Sequence, residues 1–492
     1  MDNVLKAPFS KSGYYRDSFT VKSAHLLFWT VIFCVSFGTG WYFLHYTWSG
    51  TLNKPFIVTT ETSEYPIGQI DFPAIAVCNI NRISKKALSK FAAEVYPELA
   101  EKESLEEVEN MLLNLGRLID YSYNESVRNH PVFVKMIHKF RGNTKQILPV
   151  MKNLAPRCED MLIRCAWAGA LVDCEQVFSL RRTANRGFCC IFNYVVKFKN
   201  SDFIQSEIKR QSVPGFIHGL HILLDPMLDD YAYPLKSIQG FDILIFDPIH
   251  YADPNAGRVI HRMSEPNKAL SLELKSSKQL STYEVRKYAA KTRKCYFNDE
   301  ISKDYTVYSY SACIVFCRIA TINSLCKCTP FFYAPVDNFQ TCTLEDLRCL
   351  NKYKEKLLYL YPFDAIDTRG LETEITDSLI CDKCLPDCEI TQHRTKSYEV
   401  DMQSLDKEKD LRFLFFDNVN LNNKSLLSIF QPTHDATLVR LDVVYYWYEI
   451  LSNVGGFCGI VIGFTFVCIT EIVYFFTVRF VRHFCVNYNK YH

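Results

Sequence analysis

Hydrophobic positions gather into two long runs near the ends of the chain, with a region of mixed periodicity between them. The first run, Leu26 to Tyr46, carries no formal charge and is long enough to cross a bilayer. Trp41, Tyr42, Tyr46 and Trp48 close it like an interfacial aromatic belt, whereas a signal peptide would show a shorter apolar core and then small residues. The second run, Ile450 to Phe476, holds a single formal charge, Glu471. As one continuous helix it would measure about 40 Å against a hydrocarbon layer of about 30 Å, so it must tilt, break, or both. Gly455, Gly459 and Gly463 recur at every fourth position, a stripe along which backbones can approach closely, and Gly463-Phe464-Thr465 is a place where backbone can be presented to ions. Stripes of this kind are more often plain packing faces. Glu471 changes the balance, because an acid inside an apolar run costs a few kcal/mol unless it faces water or a partner.

Between the runs the periodicity changes repeatedly. FPAIAVCN, Phe72 to Asn79, reads as a strand. From about Asn81 to Pro156 the pattern is helical and charged; EKESLEEVENMLLNLGRL sets apolar residues at helical spacing on an acidic background, as a solvated amphipathic helix does. Strand-like alternation returns in FIHGLHILL, FDILIFDP and LVRLDVVYYW. The expected class is an α+β membrane protein, with two transmembrane helices flanking a large domain.

Composition alone conceals this, since a net charge of +2 and a mean hydropathy of −0.06 describe an ordinary soluble protein. Charge distribution is more informative. Lys6, Lys11, Arg16 and Lys22 precede the first run, and Arg479, Arg482 and Lys490 follow the second, which predicts cytoplasmic termini at residues 1–25 and 478–492. Spans at 26–46 and 445–477 then leave residues 47–444 outside the cell. Sixteen of the twenty cysteines lie between Cys78 and Cys388, in keeping with an oxidising compartment. Asn124 and Asn423 begin glycosylation sequons in the same region. Cys326-Lys-Cys328 and Cys381-Asp-Lys-Cys384 could supply zinc thiolates, but on a secretory route the even count of ten cysteines from Cys295 to Cys388 favours disulfides. No P-loop, HExxH or G-x-S-x-G motif is present, so no enzyme, cofactor or resident metal is expected, and no nucleic-acid partner.

Several motifs together resemble one family. GGFCGIVIGFTFVCITEIVYFF is similar to the second transmembrane segment of the degenerin/epithelial sodium channel superfamily, and the WYEIL lead-in looks like its insect pickpocket branch. Gly455, Gly456, Gly459, Gly463 and Glu471 match the pattern, while Thr465 stands where the filter serine is usual and Phe464 fills a usually small position. FPAIAVCN, MLIRC with Cys174, GFCCIFN and CKCTPFFYAP follow in family order. The resemblance implies a trimeric, amiloride-sensitive cation channel of the plasma membrane, a homo- or heterotrimer with related subunits, surrounded by lipid and permeated by Na+. It implies a palm sheet carrying a helical finger at about 81–160 and a thumb at about 295–390. It further implies a pore and selectivity filter at Gly463, Phe464, Thr465 and Glu471, gating roles for Ser452 and His25, and helix packing at Gly455, Gly456 and Gly459. Only the histidine of the usual His-Gly pair is present, since Leu26 follows His25. The implied disulfides are Cys78–Cys189, Cys165–Cys174, Cys295–Cys388, Cys313–Cys384, Cys317–Cys381, Cys326–Cys349 and Cys328–Cys342, with Cys158 and Cys190 either an extra pair or free thiols. A non-conducting receptor or accessory subunit of such a channel is the alternative.

Overall fold

Two compact units make up the chain: Val58–Leu441, and a second formed by Met1–Ile57 together with Asp442–His492. A computed structural model describes residues 14–53, 55–100, 102–196, 207–300, 307–333, 340–363, 365–405, 415–417, 419–463 and 465–482. Phe464 and the basic residues Lys6, Lys11 and Lys490 lie outside them.

In the larger unit, two sheets carry the core. One has eight strands: β1 (Phe56–Pro66), β3 (Leu162–Trp167), β4 (Ala170–Val172), β7 (Leu220–Leu224), β10 (Lys268–Ser281), β11 (Ile390–Asp401), β12 (Ser425–Phe430) and β13 (Asp435–Val443). They run in the order β1-β13-β10-β12-β7-β3-β4, and β11 pairs with β10. The second sheet is built from β5 (Phe178–Thr183), β6 (Gly187–Phe192), β2 (Ala74–Asn79), β8 (Phe241–Phe246) and β9 (Ile260–Ser264), in the order β5-β6-β2-β8-β9. Strand β10 is the hub of the first sheet. It pairs antiparallel with β11 from Lys268↔Asp401 to Gln279↔Ile390, and parallel with β12 and then β13 in successive stretches.

The sequence AIAVC fails to alternate because β2 is covered on both faces. Ile75 and Val77 join Phe192, Leu220, Ile222 and Leu427 in one cluster, whereas Ala74, Ala76 and Cys78 pack with Ile191, Leu244 and Phe246 in another. The helical region forms separate helices, Lys85–Leu99, Leu105–Leu112, Pro131–Gly142 and Ile147–Leu154. Ser84 starts the first by accepting from the Ala87 N–H at 3.1 Å, and Ser104 with Glu107 makes a capping box at the second. The acidic segment over residues 102–112 is solvated on one side only. Val108 and Leu112 enter a core shared with Val315, Ile319 and Ile322 of helix Tyr310–Cys326.

Eight disulfides stitch this unit among its described residues. Seven are the pairs implied by the family pattern, and the eighth joins Cys158 to Cys190. Cys313 and Cys317, one turn apart on helix Tyr310–Cys326, reach Cys384 and Cys381, so two rungs are set by helical spacing. The outermost rung, Cys295–Cys388, closes a separation of 93 residues. On the chain-entropy account a loop of that size contributes about 4 to 5 kcal/mol, and inner rungs add less. Arg318 on the same helix forms a buried ion pair with Asp253 and donates from Nε to the Leu357 carbonyl at 2.8 Å.

Candidate functional site: a broken apolar helix

The second apolar run does not form one helix. Trp447–Ile462 and Phe466–Tyr474 are separate α-helices, and a π-helical turn, Phe475–Arg479, follows. Gly463 ends the first half-helix with φ +70° and ψ 17°, a left-handed conformation that costs glycine no Cβ clash. Its N–H reaches the Cys458 and Gly459 carbonyls. Thr465 is extended, at φ −116° and ψ 170°, and its carbonyl receives the Ile469 N–H at 3.4 Å to begin the second half-helix.

Two half-helices meeting at a break create a defined field. The last carbonyls of the first carry about half a negative charge, and the first N–H groups of the second carry about half a positive one. Unwound backbone beside a helix C-terminus is a recurring way to present carbonyl oxygens to a cation. The Thr465 hydroxyl does not cap the second half-helix; it lies 3.4 Å from Cys468 Sγ. By contrast, Thr470 and Thr477 turn their hydroxyls back to the Val467 and Val473 carbonyls at 2.7 and 2.5 Å. Among the described residues, Thr465 is the one of these three threonines whose hydroxyl is not bonded to a backbone carbonyl. Glu471 is exposed on the second half-helix, about 9 Å farther along the axis.

The remaining candidates divide by location. A Cβ on Gly455 or Gly456 would meet nothing within 4 Å, so packing inside this chain does not require glycine there. Ser452 is exposed, and with Gly456 it lines a cavity of about 490 Å3 whose walls include Phe43, Trp48, Tyr445 and Phe457. Phe43 and Phe457 stack obliquely at 5.7 Å, joining the first half-helix to the N-terminal helix Tyr14–Asn53, which carries the apolar stretch Ala24–Tyr46. His25 lies on that helix and accepts from the Trp29 Nε1–H at 3.2 Å, a local contact apart from the break. Asn124 and Asn423 are exposed in the larger unit, though Ser425, the third residue of the latter's sequon, is buried. Among the described residues no group of three or more His, Cys, Asp or Glu is arranged to hold a metal.

Two features escaped the reading of the sequence. Glu449 accepts from the Tyr446 N–H at 2.9 Å, satisfying the first turn of the half-helix, and the Tyr446 hydroxyl donates to Asp442 at 2.8 Å. Its signal is an acid three residues into a helix. Cys468 stands three residues after Thr465, the spacing of a capping box with sulfur in place of the usual carboxylate or amide.

Comparison with known proteins gives these features a setting. A family model described as amiloride-sensitive sodium channel matches residues 13–475. Sodium channel protein Nach of Drosophila melanogaster is 23% identical over 483 residues, covering 94% of this chain and 84% of its own length. Pickpocket protein 28 of the same species is 22% identical, covering 88% and 70%. The bile acid-sensitive ion channel of Mus musculus is 24% identical, covering 85% and 76%.

Proposed function

The chain belongs to the amiloride-sensitive sodium channel family, as a subunit of the degenerin/epithelial sodium channel type, and on that premise we propose that the broken helix is its ion path. Three copies, identical or related, surround the pore in the plasma membrane. Each contributes two spans, 26–46 and 445–477, with residues 47–444 outside the cell and both termini in the cytoplasm. The larger unit supplies palm, finger at about 81–160 and thumb at about 295–390. Amiloride blocks the channel, and a stimulus received outside the cell opens it, in a sensory or epithelial tissue.

The observation that carries this reading is the break at Gly463 to Thr465, which interrupts an otherwise apolar helix at the position where the family pattern places its filter. Cation coordination falls to the Gly463 carbonyl, the Thr465 hydroxyl and water, because no formal charge lies in the triplet; Glu471 adds negative potential beyond it. Gly455, Gly456 and Gly459 give the close approach between copies, while Ser452 stands where copies meet at the gate. His25 acts in gating from the cytoplasmic end of the first span. Glycans occupy Asn124 and Asn423.

The departures at Leu26, Phe464 and Thr465 support a second reading, a non-conducting accessory subunit. Voltage clamp separates the two. Cells expressing this chain, alone and with related subunits, should carry an inward current that falls when Na+ is replaced by a large organic cation and when amiloride is added. Surface-confirmed chain that never alters current in any combination would contradict conduction and favour the accessory reading.

A further inference from the structure

Beside the break stands a side chain to which the family pattern assigned no role. Cys468 is unpaired, lies partly buried at the first turn of the second half-helix, and touches both ends of the break. Its Sγ is 3.4 Å from the Thr465 hydroxyl oxygen and 4.0 Å from the Gly463 carbonyl oxygen, the latter with the thiol as donor. A thiol has one hydrogen, so if S–H serves the carbonyl, the Thr465 O–H must be the donor to sulfur. That direction leaves both lone pairs of the Thr465 oxygen free.

We propose that Cys468 is a positioning residue for ion selectivity: it orients the Thr465 hydroxyl so that oxygen, not hydrogen, faces the ion path, and it restrains the Gly463 carbonyl on the other side of the break. This rests on the assignment of the break as the pore. The physical reason for a thiol here is geometric. The second half-helix lacks a side-chain cap, and a hydroxyl left to itself at Thr465 would turn to the orphan N–H groups of the first turn as an ordinary N-cap acceptor. Sulfur at the third helical position offers the hydroxyl an acceptor and so competes with that arrangement. Sulfur hydrogen bonds are individually weak, so the effect is on orientation and hence on discrimination between ions, not on whether the helix forms.

The test is the permeability ratio of Na+ to K+, from reversal potentials under ion substitution, for the wild-type chain, Cys468→Ala and Cys468→Ser, each expressed with the subunits it needs to conduct and quantified at the surface. Cys468→Ala deletes donor and acceptor; Cys468→Ser keeps both on a shorter arm. The expected result is a change of at least twofold in the ratio for Cys468→Ala, at unchanged surface amount, with Cys468→Ser returning toward wild type. An unchanged ratio in Cys468→Ala overturns the proposal, and so does an equal change in both variants, which would make side-chain volume the determinant. If Thr465→Ala also leaves the ratio unchanged, the pore assignment itself fails; if Thr465→Ala alters the ratio and Cys468→Ala does not, only the role of Cys468 falls.

Discussion

The two units solve the problem of burial in opposite ways. In Val58–Leu441 the large apolar side chains are enclosed by the chain itself, and buried charges find partners: Arg318 meets Asp253, and Asp242 is surrounded by Arg82, Arg186, Lys236 and His261. In the other unit Trp29, Phe33, Phe466 and Phe476 are all more than half exposed. An apolar surface of that extent is stable only against lipid or other copies of the chain. Stability therefore resides inside the chain for the larger unit and in the surroundings for the smaller.

The largest departure from this contrast is expected at the buried ion pair. Asp253→Asn leaves the Arg318 guanidinium buried without its counter-ion and should cost about 3 to 5 kcal/mol, seen as retention of the chain inside the cell and a large fall in melting temperature. Cys388→Ser opens the 93-residue closure and leaves Cys295 without its partner, at about 2 to 5 kcal/mol; peptide mapping without reduction should lose the Cys295–Cys388 link and surface delivery should fall. Glu449→Ala, in the second unit, removes only the acceptor of the Tyr446 N–H and should cost about 0.5 to 2 kcal/mol, with near-normal surface delivery but altered gating. Loss of surface delivery as severe as that of Asp253→Asn would show that the second unit depends on internal bonds as much as the first.

Acid sharpens the comparison through titrating groups in the larger unit. Burial raises the Asp247 carboxyl to about 6, so this group favours the folded state at low pH and loses that contribution as pH rises through about 6. Burial lowers the His393 imidazole to about 4, with Asp71 acting against the shift; its contribution is present above the ordinary histidine range and is lost as pH falls through about 4. Asp387, beside His250 and Arg258, is also raised by burial, and His250 is lowered. Between about pH 6.5 and 4 these effects oppose one another. Asp247→Asn should therefore make the acid loss of melting temperature steeper, and His393→Gln should make it shallower; the same slope in both variants would contradict these environments.

Much of this was legible in the sequence because it rests on local chemistry. The second apolar run was too long for an unbroken, untilted span, and the chain breaks at Gly463, where glycine enters the left-handed region at no steric cost. Cys313 and Cys317 were readable as one helix face. Other features depend on contacts distant in sequence. That FPAIAVCN is enclosed on both faces follows from pairing with β6 and β8, and the Cys158–Cys190 bond from a fold that brings residues 32 apart together. Sequence alone leaves Cys158 and Cys190 open between a bond and free thiols for that reason. The significance of Cys468 lies in two weak contacts across a break, which no residue type announces.

Ser452 offers the most direct test of the pore. In the pore proposed above, closure brings copies of the first half-helix together near Ser452, where a small side chain permits contact and a larger one overlaps. Overpacking costs about 1 to 3 kcal/mol per site, and about 1.4 kcal/mol shifts an equilibrium tenfold. The deciding measurement is the resting current of Ser452→Trp against Ser452→Ala, each confirmed at the surface with conducting partners. A standing, amiloride-blocked Na+ current in Ser452→Trp and not in Ser452→Ala is the predicted result; equal, unstimulated silence in both would contradict the placement of the pore.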